Sequence, residues 1–316
     1  MSGRLMGEGF RAMGCDCFAG VTAGAGDARR AARALAAARE EVAACERTLS
    51  RFLPESDLSR VNRGAGEWVG VDPRMVSATR AALNARRSTD GRYDPTILAP
   101  LEAAGYDRSF ELLEERPARD AAGWRPGAEV EVGVGRVRVA DGAAIDLGGI
   151  AKGWSAGRAL AAMREAWPAM PGGLVDLGGD LALWGRTPEG GPWRVAVADP
   201  RVPGSHLATL LLEGGGVATS GRDRRRFGPG RSLHHLIDPA TGEPARGGPL
   251  AVTVVAPEAG RAEAFATLIA VGGRDTADAA VAAHADISAL VVPDTGPPAL
   301  VGPARVEWAR AMEMAS

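Results

Sequence analysis

The sequence predicts an α+β fold, in which neighbouring strands are joined sometimes by turns and sometimes by helices. Three observations lead to this prediction. Short apolar runs rich in β-branched residues recur along the 316-residue chain, Ala-rich segments of helical length lie between some of them, and Gly-rich turns directly join others. Because this order is not a regular strand–helix alternation, it disfavours a doubly wound parallel sheet. We find no internal repeat and no Pro/Ser-rich linker.

The first half of the chain predicts one strand, two helices and a hairpin. The strand is expected over 10–22 and the first helix over 27–50, where Leu35, Val42 and Leu49 recur every seven residues. Residues 51–72 look like a loop with proline and glycine turns. A second helix, over 73–89, begins on a proline, which is favoured in a first helical turn. Alternating valines around 133–135 predict the hairpin.

The second half of the chain predicts further strands and three helices. A Gly-rich turn at 145–153 leads into a helix over 154–167. The other two helices are expected over 258–271 and 275–283. Strands are expected over 173–184, 193–198, 208–212, 216–218, 250–256 and 287–292.

Composition excludes several classes of protein. The 37 basic and 39 acidic residues leave a formal charge of −2, which argues against nucleic-acid binding. Apolar stretches end well before the roughly 18 residues of a membrane-spanning helix, so we expect no membrane span. The first ten residues lack a signal-peptide core and no lipobox follows, which favours a cytoplasmic location. Three cysteines cannot build a disulfide framework.

The Gly-rich turn carries the chain's one lysine. Of the 37 basic residues 36 are arginines, and the exception is Lys152. Such a bias suggests that a lysine survives where a compact ammonium fits and a planar guanidinium does not, although chance survival on the surface is equally compatible with composition. Gly148 and Gly149 precede a predicted helix start, where backbone N–H groups favour anions. The combination favours phosphate binding over an ordinary turn, without the spacing of a Walker motif.

Two further segments carry candidate functional residues. Glu263 and Thr267 lie one helical turn apart on a largely apolar helix, and their oxygens suit Mg²⁺. The residues alone nevertheless favour an exposed Glu beside a back-bonding Thr. His234 and His235 precede an Asp-Pro turn and are candidates for a general base or for structural roles. The arginine cluster at 222–226 reads as a solvated loop or as the lining of an anion site.

Taken together, these segments resemble the FAD:protein FMN transferases, the ApbE-like family. The resemblance runs in order over nearly the whole chain, and it includes both Lys152 and the rare Asn62. The matching motifs are MG at 13–14, LSRF at 49–52, SDLSRVN at 56–62, GRYDPT at 91–96, IDLGGIAKG at 145–153, VDLGGD at 175–180, ATSG at 218–221, HLIDPATG at 235–242, VTVV at 252–255 and AEAFAT at 262–267.

The resemblance implies an enzyme that binds FAD with Mg²⁺ or Mn²⁺, cleaves its pyrophosphate, passes FMN to a Ser or Thr hydroxyl of an acceptor flavoprotein and releases AMP. The metal ligands implied in this way are Glu263, Thr267 and the backbone carbonyl of Gly149. His235 would be catalytic and deprotonate the acceptor hydroxyl. The implied FAD-binding residues are Met13, Phe52, Arg92, Tyr93, Asp94, Asp146, Lys152 and Leu250.

The implied architecture is T-fold-like, with mixed sheets and packed helices around one FAD cleft. We expect a single domain over 1–316, with a core at about 10–293 and a tail at 294–316; a homodimer is compatible with the sequence. The chain departs from the family pattern at Glu263, where Asp is usual, and the extra methylene adds about 1.5 Å of reach to a ligand of a strictly octahedral ion. Two alternatives stay open: an Mg²⁺-dependent FAD pyrophosphatase, in which water replaces the protein hydroxyl, and a non-catalytic FAD-binding protein, which the Glu263 departure motivates.

Overall fold

The computed structural model describes residues 3–113, 117–222, 226–228, 230 and 233–309. The helices are α1 (Ala28–Leu49), α2 (Asp57–Arg63), α3 (Pro73–Ser88), α4 (Leu98–Ala103), α5 (Ala151–Ala166) and α6 (Ala259–Ala283), with a 3₁₀ turn at Phe110–Leu112. The strands are β1 (Arg4–Ala12), β2 (Cys15–Ala23), β3 (Val69–Gly70), β4 (Val130–Gly133), β5 (Arg136–Val139), β6 (Gly172–Leu177), β7 (Asp180–Gly185), β8 (Trp193–Ala198), β9 (His206–Leu212), β10 (Gly215–Gly221), β11 (Arg226–Phe227), β12 (Leu233–His234), β13 (Ile237–Asp238), β14 (Glu243–Pro244), β15 (Ala251–Ala256), β16 (Ser288–Val292), β17 (Ala299–Val301) and β18 (Arg305–Trp308).

The centre of the fold is an eight-stranded sheet in the order β1-β2-β6-β7-β10-β15-β16-β17. A three-stranded sheet, β18-β9-β8, packs on one face through the core that contains Trp193, Leu210 and Val217. The long helices α1, α5 and α6 cover the opposite face through two further cores. The predicted α+β class is confirmed. Strand pairs in the described part of the chain are antiparallel, whereas the prediction was of mixed sheets.

Two strands predicted as continuous are hairpins. The prediction of one strand over 10–22 is wrong because Met13 and Gly14 form a two-residue turn with φ of 51° and 67° between β1 and β2. The carboxylate of Glu46 holds this turn by accepting a hydrogen bond from the Met13 N–H at 2.7 Å. The strand predicted over 173–184 divides in the same way at Gly178 and Gly179, both with positive φ.

The predicted helices are confirmed with small shifts at their ends. The two helices predicted over 258–271 and 275–283 are the halves of α6. Gly273, whose φ is 77°, interrupts the helix between them. The predicted loop over 51–72 is wrong in part, because it contains α2. Ser56 caps that helix by accepting a hydrogen bond from the Ser59 N–H at 3.0 Å.

Helices α5 and α6 cross at two glycines, Gly153 and Gly260. This close crossing brings Lys152 on α5 near Glu263 on α6. A Cβ at Gly153 would lie 2.3 Å from the Ala259 carbonyl oxygen, and one at Gly260 would lie 3.1 Å from the Trp154 backbone. Only glycine therefore allows the two backbones to approach this closely. As a result, the first turn of α5 lies directly against the first turn of α6.

The segment after residue 293 contributes two strands. β17 adds to the edge of the large sheet beside β16, and β18 pairs with β9 in the small sheet. The single-domain interpretation and its boundaries remain a prediction. In the part of the chain that the structure describes, no helix is both long enough and apolar enough to cross a membrane.

Candidate active site

A cavity of about 760 Å³ opens between the β1–β2 turn, the start of α5, the second turn of α6 and the end of β10. This volume is in the range of small-molecule and cofactor sites. Of the sequence-predicted site residues, the cavity is lined by Met13, Phe52, Arg92, Tyr93, Asp94, Asp146, Gly149, Lys152, His235, Glu263 and Thr267. The fold thus brings together residues that are far apart in the sequence.

The Lys152 ammonium lies between two buried carboxylates. It forms an ion pair with Asp180, and its Nζ lies 3.1 Å from Glu263 Oε1. The Asp180 and Glu263 side chains are only 2% and 4% exposed, so they depend on this cation for compensation. Asp180 follows the Gly178–Gly179 turn, which directs the start of β7 toward α5. The chain's one lysine therefore holds two strongly buried negative charges in one place.

Glu263 also caps a helix to which it does not belong. Its Oε2 accepts a hydrogen bond from the Gly153 N–H at 2.8 Å, in the first turn of α5. The residue at the start of that helix, Ile150, has no side chain able to cap it. Because the α5–α6 crossing is so close, the Glu263 side chain spans from α6 to this N–H group and to Lys152 at once. Its position depends on both helices.

Asp146 carries a second charge pair at the cavity wall. Its Oδ2 lies 2.9 Å from the Arg51 Nε, and its Oδ1 accepts a hydrogen bond from the Gly148 N–H at 2.7 Å. The Arg51 guanidinium lies over the rings of Phe52 and Tyr106, 4.2 and 4.7 Å from their centroids. This arrangement joins the carboxylate to two aromatic rings in the cavity lining.

The predicted metal ligands lie at the same end of the cavity. A Cβ at Gly149 would be 3.1 Å from the Tyr93 ring and 3.3 Å from Thr267 Oγ1, so the Thr267 hydroxyl lies against the glycine turn. Within the described residues, no three His, Cys, Asp or Glu side chains are grouped to hold a metal ion. The predicted set is of another kind, with one carbonyl, one hydroxyl and one carboxylate. The three residues line one cavity, and oxygen donors of these kinds suit Mg²⁺ or Mn²⁺, which keep several waters.

The two histidines have different surroundings. The His235 ring lies at the cavity, in edge contact with Tyr106 at a centroid distance of 6.3 Å, and Tyr106 in turn stacks on Phe227. His234 is outside the lining and only 6% exposed. Burial lowers the pKa of His234 below its ordinary value, which keeps it neutral. Only His235 therefore has access to a ligand in the cavity.

Two other predicted residues have mainly structural surroundings. Leu250 is outside the cavity lining, and its backbone accepts a hydrogen bond from the Arg222 N–H and donates one to the Val292 carbonyl. Asp94 lines the cavity but is only 3% exposed, and its carboxylate accepts hydrogen bonds from Thr96 and the Gly127 N–H. Of the arginine cluster at 222–226, residues 223–225 lie outside the described part of the chain.

Sequence reasoning missed the roles of Arg51, Asp180 and Ser220. All three lie inside quoted motifs and line the cavity or pair with a residue that does. Ser220 places its hydroxyl 3.5 Å from that of Thr267, at the end of β10. A usable signal existed for Asp180, since a carboxylate directly after a Gly-Gly turn enters the following strand with its direction set by the turn. Arg51 carried no such signal among 36 arginines.

Comparison with known proteins relates this chain to one family. The ApbE family profile matches residues 13–291. A protein of Salmonella typhimurium named FAD:protein FMN transferase is 30% identical over 273 residues, which cover 81% of this chain and 75% of the relative. A protein of the same name from Treponema pallidum is 30% identical over 288 residues, covering 84% of this chain and 79% of the relative.

Solved structures show the same fold. The crystal structure of the ApbE protein from Thermotoga maritima superposes with a TM-score of 0.82 at 29% identity and covers 94% of this chain and 96% of its own. The apo flavinyl transferase ApbE of Pseudomonas stutzeri, at 22% identity, gives 0.78 with 95% and 96% coverage and supports the fold alone. The resemblance inferred from the motifs is thereby confirmed, and this chain belongs to the ApbE family.

Proposed function

We propose that this chain is an FAD:protein FMN transferase that passes FMN from FAD to a Ser or Thr hydroxyl of an acceptor flavoprotein. The observation that carries the proposal is the placement of the chain's one lysine, which lies between Asp180 and Glu263 at the start of α5, inside a cavity of about 760 Å³. A helix N-terminus next to a compact cation suits a diphosphate. Membership of a family whose relatives carry this name supports the same activity.

The reaction is a displacement at phosphorus. The acceptor hydroxyl oxygen bonds to the FMN phosphorus, the bond from that phosphorus to the AMP oxygen breaks, and the hydroxyl proton leaves to a base. Positioning and charge neutralisation dominate such a step. Lys152 and the backbone N–H groups at the start of α5 bind and position the phosphates, and His235 takes the proton. Gly149, Glu263 and Thr267 would hold Mg²⁺ or Mn²⁺, which when bound neutralises charge on the phosphate oxygens.

The decisive experiment analyses both products. The full chain is incubated with FAD, Mg²⁺ or Mn²⁺ and a flavoprotein domain that carries a Ser/Thr flavinylation motif, and the flavins and the protein are then weighed by mass spectrometry. We expect FMN attached to the domain and one AMP released for each attachment. Free FMN with AMP and no attachment would instead make water the acceptor, as in a pyrophosphatase. Bound FAD that stays intact would indicate a non-catalytic FAD-binding protein.

The histidine pair supplies a matched test of the mechanism. His235→Ala removes the base that lines the cavity, and we expect transfer to fall by roughly 10²–10⁴-fold. His234→Ala alters a buried neighbour outside the cavity, and it should affect stability more than turnover. The rate is measured by the same mass analysis. A larger loss of turnover in His234→Ala would contradict the assignment of His235.

A cytoplasmic location and a homodimer remain sequence-based predictions. We propose both together with the function, and each needs its own experiment. Cell fractionation followed by immunodetection of this chain tests the location. Light scattering of the purified chain, with and without FAD, tests the assembly.

A further inference from the structure

Three charged side chains meet at the end of the cavity where α5 begins, and we call Lys152, Asp180 and Glu263 the charged trio. The Lys152 ammonium donates a hydrogen bond to Asp180 and lies 3.1 Å from Glu263 Oε1. Lys152 and Glu263 line the cavity, whereas Asp180 is outside the lining. Asp180 therefore acts on a ligand in the cavity only through the other two members of the trio.

The two carboxylates of the trio share one cation. The Asp180 and Glu263 side chains are strongly buried, and in the part of the chain that the structure describes neither pairs with a cation other than Lys152. One ammonium facing two carboxylates leaves the trio with a net negative charge. Solvent and salt screen a buried charge only weakly, so this excess acts on whatever enters the cavity.

The excess charge is available on the carboxylate that lines the cavity. Because the ammonium hydrogen-bonds to Asp180, it is not committed to Glu263 alone. The other contact of Glu263 is the Gly153 N–H, 2.8 Å from Oε2. An N–H group carries no formal charge, so it orients this carboxylate without cancelling its charge. A carboxylate oriented in this way suits a divalent cation.

We infer that Asp180 is a positioning residue that sets the affinity of the cavity for a divalent cation, because it shares the Lys152 ammonium with Glu263. The inference rests on the proposed function, in that it takes Glu263 as a ligand of Mg²⁺ or Mn²⁺, and it adds what determines the strength of binding. Without the Asp180 charge, the ammonium would pair with Glu263 alone. An arriving cation would then meet a neutral pair.

The test is Asp180→Asn, which removes one charge and keeps the shape of the side chain. Binding of Mn²⁺ to the purified full chain is measured at pH 8 without nucleotide, from the electron paramagnetic resonance signal of free Mn²⁺. The dissociation constant should rise by about tenfold, because the trio loses its net negative charge. A merely structural role would lower the thermal midpoint and leave the affinity for Mn²⁺ unchanged, and that result would overturn the inference.

A second change, Lys152→Met, distinguishes action through the lysine from direct contact with the metal. The double variant Asp180→Asn, Lys152→Met again carries one net negative charge, on Glu263. Its affinity for Mn²⁺ should therefore return to within about threefold of wild type. If the double variant bound Mn²⁺ as weakly as Asp180→Asn, Asp180 would be a metal ligand itself, and the inference would be wrong.

Asp176→Asn is the matched control. Asp176 lies just before the same Gly-Gly turn and accepts a hydrogen bond from the Gly179 N–H at 2.7 Å, which an Asn oxygen can also accept. It is outside the cavity lining and forms no ion pair with Lys152 among the described residues. We expect its dissociation constant for Mn²⁺ to change by less than about threefold. A loss as large as that of Asp180→Asn would show that total negative charge, and not sharing of the lysine, sets the affinity.

The inference and the proposed function fail in different ways. If wild type did not bind Mn²⁺ without nucleotide, the inference would be overturned, while the analysis of transfer products would still test the function. If Mn²⁺ binding changed as expected in all three variants but wild type transferred no FMN, the proposed function alone would be refuted.

Discussion

Two buried glutamates of this chain have similar environments but different kinds of cation. Glu41 on α1 receives Arg74 from α3 at 2.5 Å and Arg158 from α5 at 3.1 Å, so guanidinium groups cover both of its oxygens. Among the described residues, Glu263 on α6 receives only the Lys152 ammonium and the Gly153 N–H. The first glutamate ties three helices together away from the cavity, and the second lines the cavity.

The difference indicates what each cation permits. A guanidinium matches a carboxylate with several fixed donors and leaves it little capacity for another ligand. An ammonium is a compact point charge, so a carboxylate beside it keeps lone pairs directed at a ligand or metal. In a chain with 36 arginines and one lysine, the lysine is the cation that pairs with the buried carboxylate in the cavity lining.

The largest effect should come from removing each negative charge. Glu263→Gln keeps the shape and an acceptor for the Gly153 N–H but removes the charge next to Lys152, and we expect metal-dependent turnover to fall by about 10²–10³-fold. Glu41→Gln should leave turnover unchanged and lower the free energy of unfolding by about 1–3 kcal/mol, because it removes the buried negative charge that pairs with Arg74 and Arg158. Product analysis and urea denaturation measure the two quantities. Equal losses of turnover in both variants would abolish the distinction.

A smaller effect should follow from exchanging the cations. Lys152→Arg keeps the charge but places a larger fork between Asp180 and Glu263, and we expect FAD to bind about tenfold more weakly, or ~1.4 kcal/mol. Arg74→Lys is the reverse exchange at Glu41, and it should cost about 1 kcal/mol of stability with normal affinity for FAD. Fluorescence titration gives the dissociation constant for FAD of both variants. Normal FAD binding by Lys152→Arg would remove the argument for a compact ammonium.

The smallest effect concerns pH. Burial would raise the pKa of Glu41, but hydrogen bonds from Arg74 and Arg158 outweigh it and lower the pKa below the ordinary value of 4.5. The glutamate therefore contributes stability that is fully present above about pH 4.5 and is lost as the pH falls through the lower, folded-state pKa. Urea unfolding at pH 7 and at pH 3.5 should show a smaller decrease in stability for Glu41→Gln than for wild type. An identical decrease would show that this ion pair does not contribute to acid sensitivity.

Much of the fold was predictable because the signals for a helix, apolar periodicity and terminal residues, lie within its own segment of the sequence. α1 and α3 follow apolar periodicity and an N-terminal proline, and the break in α6 follows the glycines at 272 and 273. The hairpin at Met13 was not predictable from turn composition, since Met-Gly is not a usual two-residue turn and the Glu46 carboxylate that holds it lies on another element. α2 was missed because seven residues are too few for a periodic signal.

The candidate site was predictable as far as motifs carry information. Lys152 was singled out by composition and lies in the cavity with Glu263 and Thr267. The pairing of Lys152 with Asp180, 28 residues further along the chain, was not predicted, although the Gly-Gly turn before Asp180 was a usable signal. The Arg51–Asp146 pair was not predictable, because it joins two distant segments and depends on one arginine among many.

The pairing of β2 with β6 leaves one edge of β2 unpaired during synthesis of the chain. The β1–β2 hairpin ends at Ala23, but the strand that pairs with it begins only at Gly172, after α1 to α5 have been synthesised. During that interval the inner edge of β2 exposes unpaired backbone groups beside apolar residues such as Ala19 and Val21. Neighbouring nascent chains present the same open edge, so pairing between chains competes with folding until β6 emerges. A product that ends before Gly172 keeps this edge open permanently and is prone to aggregate through it.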